Sequence, residues 1–195
     1  MRSRVIQSET SSSQTHIPVV DLASAPRPRP QRRLLGVLAR LPFTLAVGGL
    51  VLVLGVVTGA LWNPLVERPL LDGVAYGLPA LQEGRWWTPL TGLFFAQTPA
   101  QYVATLGTFL LLCGFAELRL GTRRVIPVAL GTQLAGTLGA AALLAAGSGH
   151  GWAWADATAQ VRDVGFSAGA LGAAAAASAA LVAPWRGRLR AGLLG

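Results

Sequence analysis

The sequence predicts an all-α fold, a polytopic bundle of transmembrane helices, from its composition and from where its charges lie. Hydrophobic residues make up 52% of the 195 residues and charged residues only 12%, whereas soluble domains carry about 25% charged residues. The mean hydropathy is +0.51. Long charge-free runs recur along the chain, and the basic residues, all arginine, collect at the ends of those runs. This arrangement is typical of an integral membrane protein.

Two regions are predicted. Residues 1–40 are rich in Ser, Thr, Pro and Arg, so we expect a disordered cytoplasmic tail that cannot bury a core. Residues 41–195 are expected to form the transmembrane domain. The charge-free runs predict four helices, over about 41–62, 101–116, 125–146 and 164–184. The stretch from Trp86 to Ala96 is expected to lie at the membrane interface, where paired tryptophans are favoured.

The charges in the connecting segments predict the orientation. The tail holds seven Arg and two acids, residues 117–124 hold three Arg and one acid, and the C-terminal end holds three Arg. The segments 63–85 and 147–163 instead hold more acids than Arg. By the positive-inside rule we expect a multi-pass cell-membrane protein with a cytoplasmic N terminus and these two segments outside. The net charge of +8 then indicates orientation, and we expect no nucleic-acid partner, metal or cofactor.

A serine motif opens the fourth predicted helix. Residues 165–169 read GFSAG, the G-x-S-x-G pattern that presents a nucleophile when it occupies a strand-to-helix turn. At about one helical turn from the outer surface, Ser167 would be within reach of water. Two pairs of small residues four positions apart are predicted to let a neighbouring helix approach closely: Gly165 with Gly169, and Ala168 with Gly172. These residues alone leave open whether Ser167 is a nucleophile or a packing residue.

The order of several motifs resembles that of the rhomboid intramembrane serine proteases. The stretches GRWWTPLTGLFFAQ, GFAELRLG and GFS follow one another as the family's landmarks do, over about residues 41–195. The resemblance implies that Ser167 occupies the nucleophile position. It also implies structural roles for the Trp of the outer loop and for the E-x-R-x-G at the end of helix two, which are Trp87, Glu117, Arg119 and Gly121. At the cytoplasmic end of that helix Glu117 and Arg119 can pair with each other, and a solvated helix end stays open as the alternative.

The chain departs from the family pattern around the reaction site. The family's H-x-x-x-N, which donates hydrogen bonds to the oxyanion, corresponds here to Gln101 and Thr105. Glutamine can still donate such a bond, but threonine is shorter. The residue after Trp87 is Thr88 where the family has Arg, and Ala168 follows the serine where the family has Gly.

The catalytic base is the most serious departure. The family's histidine lies on helix six, and this sequence ends 28 residues after Ser167. His16 lies in the predicted tail and His150 in the second outer segment, in a Gly-rich stretch. We therefore expect a chain truncated before helices five and six, without a catalytic dyad of its own.

A narrower resemblance suggests a function. AYGLPALQEGRWWTPLTGLFF, GFAELRLGTRR and DVGFSAGA resemble the rhomboid-like N-terminal membrane portion of lysyl-phosphatidylglycerol synthase-like proteins of high-GC bacteria. This implies a membrane module without protease activity, which binds lipid or transmembrane helices of other proteins or anchors a fused aminoacyl-transferase. Two alternatives stay open: an intramembrane serine protease that uses Ser167 with a histidine from a further segment, and an unrelated channel or transporter. Against the channel or transporter, predicted helices one, three and four lack the intramembrane charges that transport sites normally carry.

Overall fold

The structure, a computed structural model, describes residues 35–194. Of the predicted disordered tail over 1–40, residues 1–34 lie outside the described residues. Residues 35–38 form a helical turn, so the prediction was wrong for them. The helices are α1 (Pro42–Val57), α2 (Leu70–Val74), α3 (Leu78–Gln82), α4 (Thr88–Thr91), α5 (Pro99–Leu120), α6 (Thr122–Gly147), α7 (Ala153–Ala159), α8 (Ser167–Ser178) and α9 (Trp185–Leu194). Strands are absent from the described part of the chain, so the predicted all-α class is confirmed there.

Two of the helices are long and apolar enough to cross a membrane. α5 has 22 residues and α6 has 26, while a crossing needs about 20. They support a membrane location for the protein. The shorter apolar helix α1 has 16 residues, and α8 has 12.

The predicted helix boundaries were too narrow for α5 and α6 and too wide for α1 and α8. α5 starts earlier than expected because Thr98 caps it, its hydroxyl accepting a hydrogen bond from the Gln101 N–H at 3.2 Å. α1 ends at Val57, shortly before Gly59 turns the chain with φ +67°. α8 starts only at Ser167 because Gly165 has φ +127°, which is outside the helical region.

The centre of the bundle is the close packing of α8 against α5 and α6, and α1 packs against α5. A methyl group on Gly172 would lie 2.4 Å from the Thr132 Cβ of α6, and one on Gly136 would lie 3.0 Å from the Ala168 Cβ. The prediction that small residues let a neighbouring helix approach is therefore confirmed for Ala168 and Gly172. For Gly165 the prediction was wrong, since this residue precedes the helix.

One end of the bundle is closed by contacts between the two segments that the sequence predicts to face outward. Tyr76 and Asp163 exchange backbone hydrogen bonds of 2.9 and 2.8 Å. The Arg162 guanidinium pairs with Asp72 and, at 3.2 Å, with Glu83. Both segments thus lie at the same end of the bundle, as the alternating helix directions require.

The opposite end is organised around Glu117. This carboxylate is only 1% exposed, and it accepts hydrogen bonds from the backbone N–H groups of Phe43 and Thr44 at 3.0 and 2.8 Å. It therefore caps the start of α1, whose first N–H groups have no partner within the helix. Gly121, with φ +78°, makes the turn from α5 into α6 at this end.

Candidate functional site

Ser167 is the first residue of α8 and is exposed. It lies at a cleft of about 160 Å³ between α5 and α8. The cleft is lined by hydroxyl, methyl and phenyl groups, from Ala104, Thr105, Thr108, Phe109, Phe166, Ser167 and Ala170. The first N–H groups of a helix have no acceptor within it, so the start of α8 offers hydrogen-bond donors beside this hydroxyl. Such donors can stabilise negative charge on a bound group.

The irregular backbone just before Ser167 is held by two buried side chains that sequence reasoning missed. The Gly165 carbonyl accepts hydrogen bonds from the Tyr76 hydroxyl at 3.1 Å and from Gln133 Nε2 at 2.9 Å. The other end of the same amide, Gln133 Oε1, accepts the Gly169 N–H at 2.9 Å. Gln133, 0% exposed, therefore ties the start of α8 to the middle of α6.

A signal for this residue was present in the sequence. Gln133 is an amide side chain inside the third charge-free run, and polar side chains in such runs usually bond across helices. The sequence does not tell which backbone group this amide binds, because its partners lie 32 and 36 positions further along the chain.

Tyr76 remains a hydrogen-bond donor over the whole physiological range. Burial first, and then the nearby Asp163 carboxylate, raises the pKa of the Tyr76 phenol well above its ordinary value. A neutral phenol can keep donating to the Gly165 carbonyl. The backbone on which Ser167 is mounted is thus fixed by groups that do not titrate near neutral pH.

The two expected oxyanion positions lie in different places. Thr105 lines the cleft beside Ser167. Gln101 instead belongs to the start of α5, where its Oε1 accepts the Gln97 N–H at 3.0 Å. One turn beyond Thr105, Thr108 completes the hydroxyl-bearing wall of the cleft. The structure therefore brings Ser167 together with Thr105 but not with Gln101.

His150 is placed in the turn after α6, exposed, with its Nδ1 3.2 Å from the Ser148 carbonyl oxygen. It does not line the cleft of Ser167. His16 lies outside the described residues. A serine becomes a nucleophile when an adjacent group can take its proton, and the side chains of this cleft can donate and accept hydrogen bonds without acting as such a base.

Glu117 is neither paired with Arg119 nor solvated, so both alternatives were wrong for this carboxylate. Besides the two amides of α1, Glu117 accepts a hydrogen bond from the Thr122 hydroxyl at 2.7 Å. Residues two apart on a helix do not face each other, so the Arg119 guanidinium lies elsewhere, 5.6 Å from the centre of the Phe115 ring. Trp87, the outer-loop landmark, precedes α4 and is exposed, away from the cleft.

Over residues 35–194 the arrangement defines a class of protein: an all-helical bundle with two membrane-length helices and a serine held at the start of a short central helix. Comparison with protein-family models, with curated proteins and with solved structures finds no match.

Proposed function

We propose that the chain is a multi-pass membrane module of rhomboid-like architecture that crosses the membrane four times and does not itself cleave peptides. Its role is to bind lipid or a partner's transmembrane helix, or to anchor a fused lipid aminoacyl-transferase. The observation that carries this proposal is the cleft at Ser167, whose lining side chains supply no general base.

The fourth proposed crossing combines a short helix with an irregular, buried segment before it. α8 has 12 residues and is about 18 Å long at 1.5 Å per residue, which is less than the hydrocarbon thickness of about 30 Å. The segment before it is irregular, and its residues Val164, Gly165 and Phe166 are buried. Irregular backbone at membrane depth is tolerated where it is buried in protein and its polar groups are bonded. The Gly165 N–H and carbonyl are both bonded, to Gly92 and to the two buried side chains.

The charges at the two ends support the orientation. The acids of the loop network, Asp72, Glu83 and Asp163, lie at one end of the bundle. The other end carries the arginines that flank the α5–α6 turn and those of α9. An arginine-rich end faces the cytoplasm under the positive-inside rule.

An intramembrane serine protease is the second candidate, and the exposure of Ser167 beside a cleft favours it. A helix start that offers N–H groups next to a serine hydroxyl is one half of an acyl-transfer site. The other half, a proton acceptor within about 3 Å of the hydroxyl, would have to come from a segment other than those lining the cleft.

A fluorophosphonate probe separates these candidates. It reacts covalently with activated serines, so membranes that contain the protein are treated with it and labelled protein is measured by in-gel fluorescence. We expect labelling at background level, equal in the natural chain, in Ser167→Ala and in the control Ser148→Ala. Labelling that is present in the natural chain and in Ser148→Ala, and lost in Ser167→Ala, would reject the non-proteolytic module.

A further inference from the structure

At the arginine-rich end, a cavity lies where α5 ends and α9 begins. It has a volume of about 640 Å³ and opens to the surface. Its lining combines apolar side chains with two arginines: Phe115, Arg119, Ala180, Leu181, Val182, Trp185, Arg188 and Leu189. Ligand sites in proteins commonly measure 300–1,000 Å³ by order of magnitude and pair apolar walls with a few charged groups.

Each of the two arginines lies against an aromatic ring. Arg119 is 5.6 Å from the centre of the Phe115 ring, and Arg188 is 5.2 Å from the centre of the Trp185 ring. A guanidinium stacked on a ring is held in place while its N–H groups remain able to bind an oxyanion. The cavity therefore has two guanidinium groups whose flat faces lie against aromatic rings and whose N–H groups can still donate hydrogen bonds.

These cations have no protein counter-ion in the part of the chain that the structure describes. The ion pairs found there involve Arg85 and Arg162, at the other end of the bundle. The one carboxylate of α5, Glu117, is buried and already accepts three hydrogen bonds. Within the described residues, both guanidinium groups are thus free to bind an anion.

The apolar walls of the cavity indicate which kind of anion fits it. A free phosphate would use only the two charges, whereas the apolar side chains of Leu181, Val182 and Leu189 would stay in contact with water. Trp185, 60% exposed, is of the type that settles at headgroup depth. A phospholipid satisfies both halves of the cavity, with its phosphate on the arginines and its first acyl carbons on the apolar wall.

The geometry points to a binding site for the headgroup phosphate of an anionic phospholipid, formed by Arg119 and Arg188. This inference rests on the proposed membrane topology, which puts the cavity at the cytoplasmic interface. It specifies the lipid contact of the module: an anionic lipid lodged between the end of α5 and α9.

The test compares lipids of equal chain length on the purified full chain in detergent. Native mass spectrometry measures the fraction of protein that retains phosphatidylglycerol or phosphatidylcholine as the lipid is titrated. These lipids share the phosphate, and only phosphatidylcholine carries a cation that neutralises it. We expect preferential retention of phosphatidylglycerol, and affinity about 30-fold lower in Arg119→Gln/Arg188→Gln, since each arginine contributes about fivefold.

A matched control removes two positive charges from the same end of the bundle, at positions outside the cavity. Arg123→Gln/Arg124→Gln changes two exposed arginines at the start of α6 that do not line it. We expect affinity within about threefold of the natural chain, because exposed charges are screened by salt. Equal losses in both double variants would overturn the site. So would equal retention of the two lipids by the natural chain, or competition by millimolar inorganic phosphate as strong as that by phosphatidylglycerol.

Two further measurements distinguish failure of the lipid site from failure of the fold or of the membrane topology. Gel filtration and circular dichroism verify that the double variant is folded, and Arg188→Gln alone, on exposed α9, provides a milder change with an expected loss of about fivefold. Alkaline carbonate extraction tests the topology. A protein that stays in the membrane without a lipid preference refutes only the lipid site, whereas release by carbonate refutes the membrane module itself.

Discussion

The tight contact between α8 and α6 gives the sharpest prediction for stability. A methyl group on Gly169 would lie 2.7 Å from the Ala129 carbonyl oxygen and 2.4 Å from an atom of the Phe166 ring. The ring can shift, but the carbonyl belongs to the backbone of α6, so Gly169→Ala must push the two helices apart. Overpacking of this kind costs about 1–3 kcal/mol, and the better helix propensity of alanine returns up to about 1 kcal/mol.

We therefore expect Gly169→Ala to lose about 1–2 kcal/mol net, which lowers the thermal midpoint by about 2–8 °C for a chain of this size. The matched control is Gly139→Ala on α6, where a methyl group would meet no atom within 4 Å. Its midpoint should be unchanged or slightly raised. The measurement is thermal unfolding in detergent, followed by circular dichroism. A midpoint for Gly169→Ala equal to that of Gly139→Ala would refute the close packing of these helices.

Four other substitutions test the polar contacts of the bundle by the same assay. Gln133→Leu should cost about 1–3 kcal/mol, because a buried N–H of α8 loses its acceptor. Combined with Tyr76→Phe its effect should be non-additive, since both side chains donate to the Gly165 carbonyl; strict additivity would contradict a shared acceptor. Glu117→Ala should cost about 2 kcal/mol or more through the lost cap of α1, and a neutral result would show that the carboxylate does not hold that helix. Arg162→Gln should cost less than about 1 kcal/mol, a difference that 1 M salt removes, because both acidic partners of this arginine are exposed; a salt-independent loss would indicate a buried pair.

The sequence was sufficient to predict the long helices, because a charge-free apolar run is a local feature of the chain. The charge-free runs predicted over 101–116 and 125–146 lie within α5 and α6. Where α8 starts was not predictable by the same means, since the apolar run continues through Gly165 while the backbone leaves the helical region. Apolar composition reports burial in lipid or protein, not the φ angle of one glycine.

The candidate site was predictable in part. The serine motif picked out Ser167, and the resemblance to rhomboid proteases picked out Thr105; these two residues line the same cleft. Sequence spacing failed for Glu117, whose acceptor role depends on amides 73 and 74 positions away. Such long-range pairings follow from the packing of whole helices, and no pattern within α5 encodes them.

Cysteine accessibility in intact cells tests the topology most directly. Cys113 is the only cysteine of the chain and is buried, so it gives little background. Single cysteines replace three exposed residues, Gln82, His150 and Arg123, and a membrane-impermeant maleimide is added before and after permeabilisation. We predict that positions 82 and 150 label in intact cells and that position 123 labels only after permeabilisation. Labelling of position 123 in intact cells, or protection of either of the other two, would contradict a bundle whose arginine-rich end faces the cytoplasm.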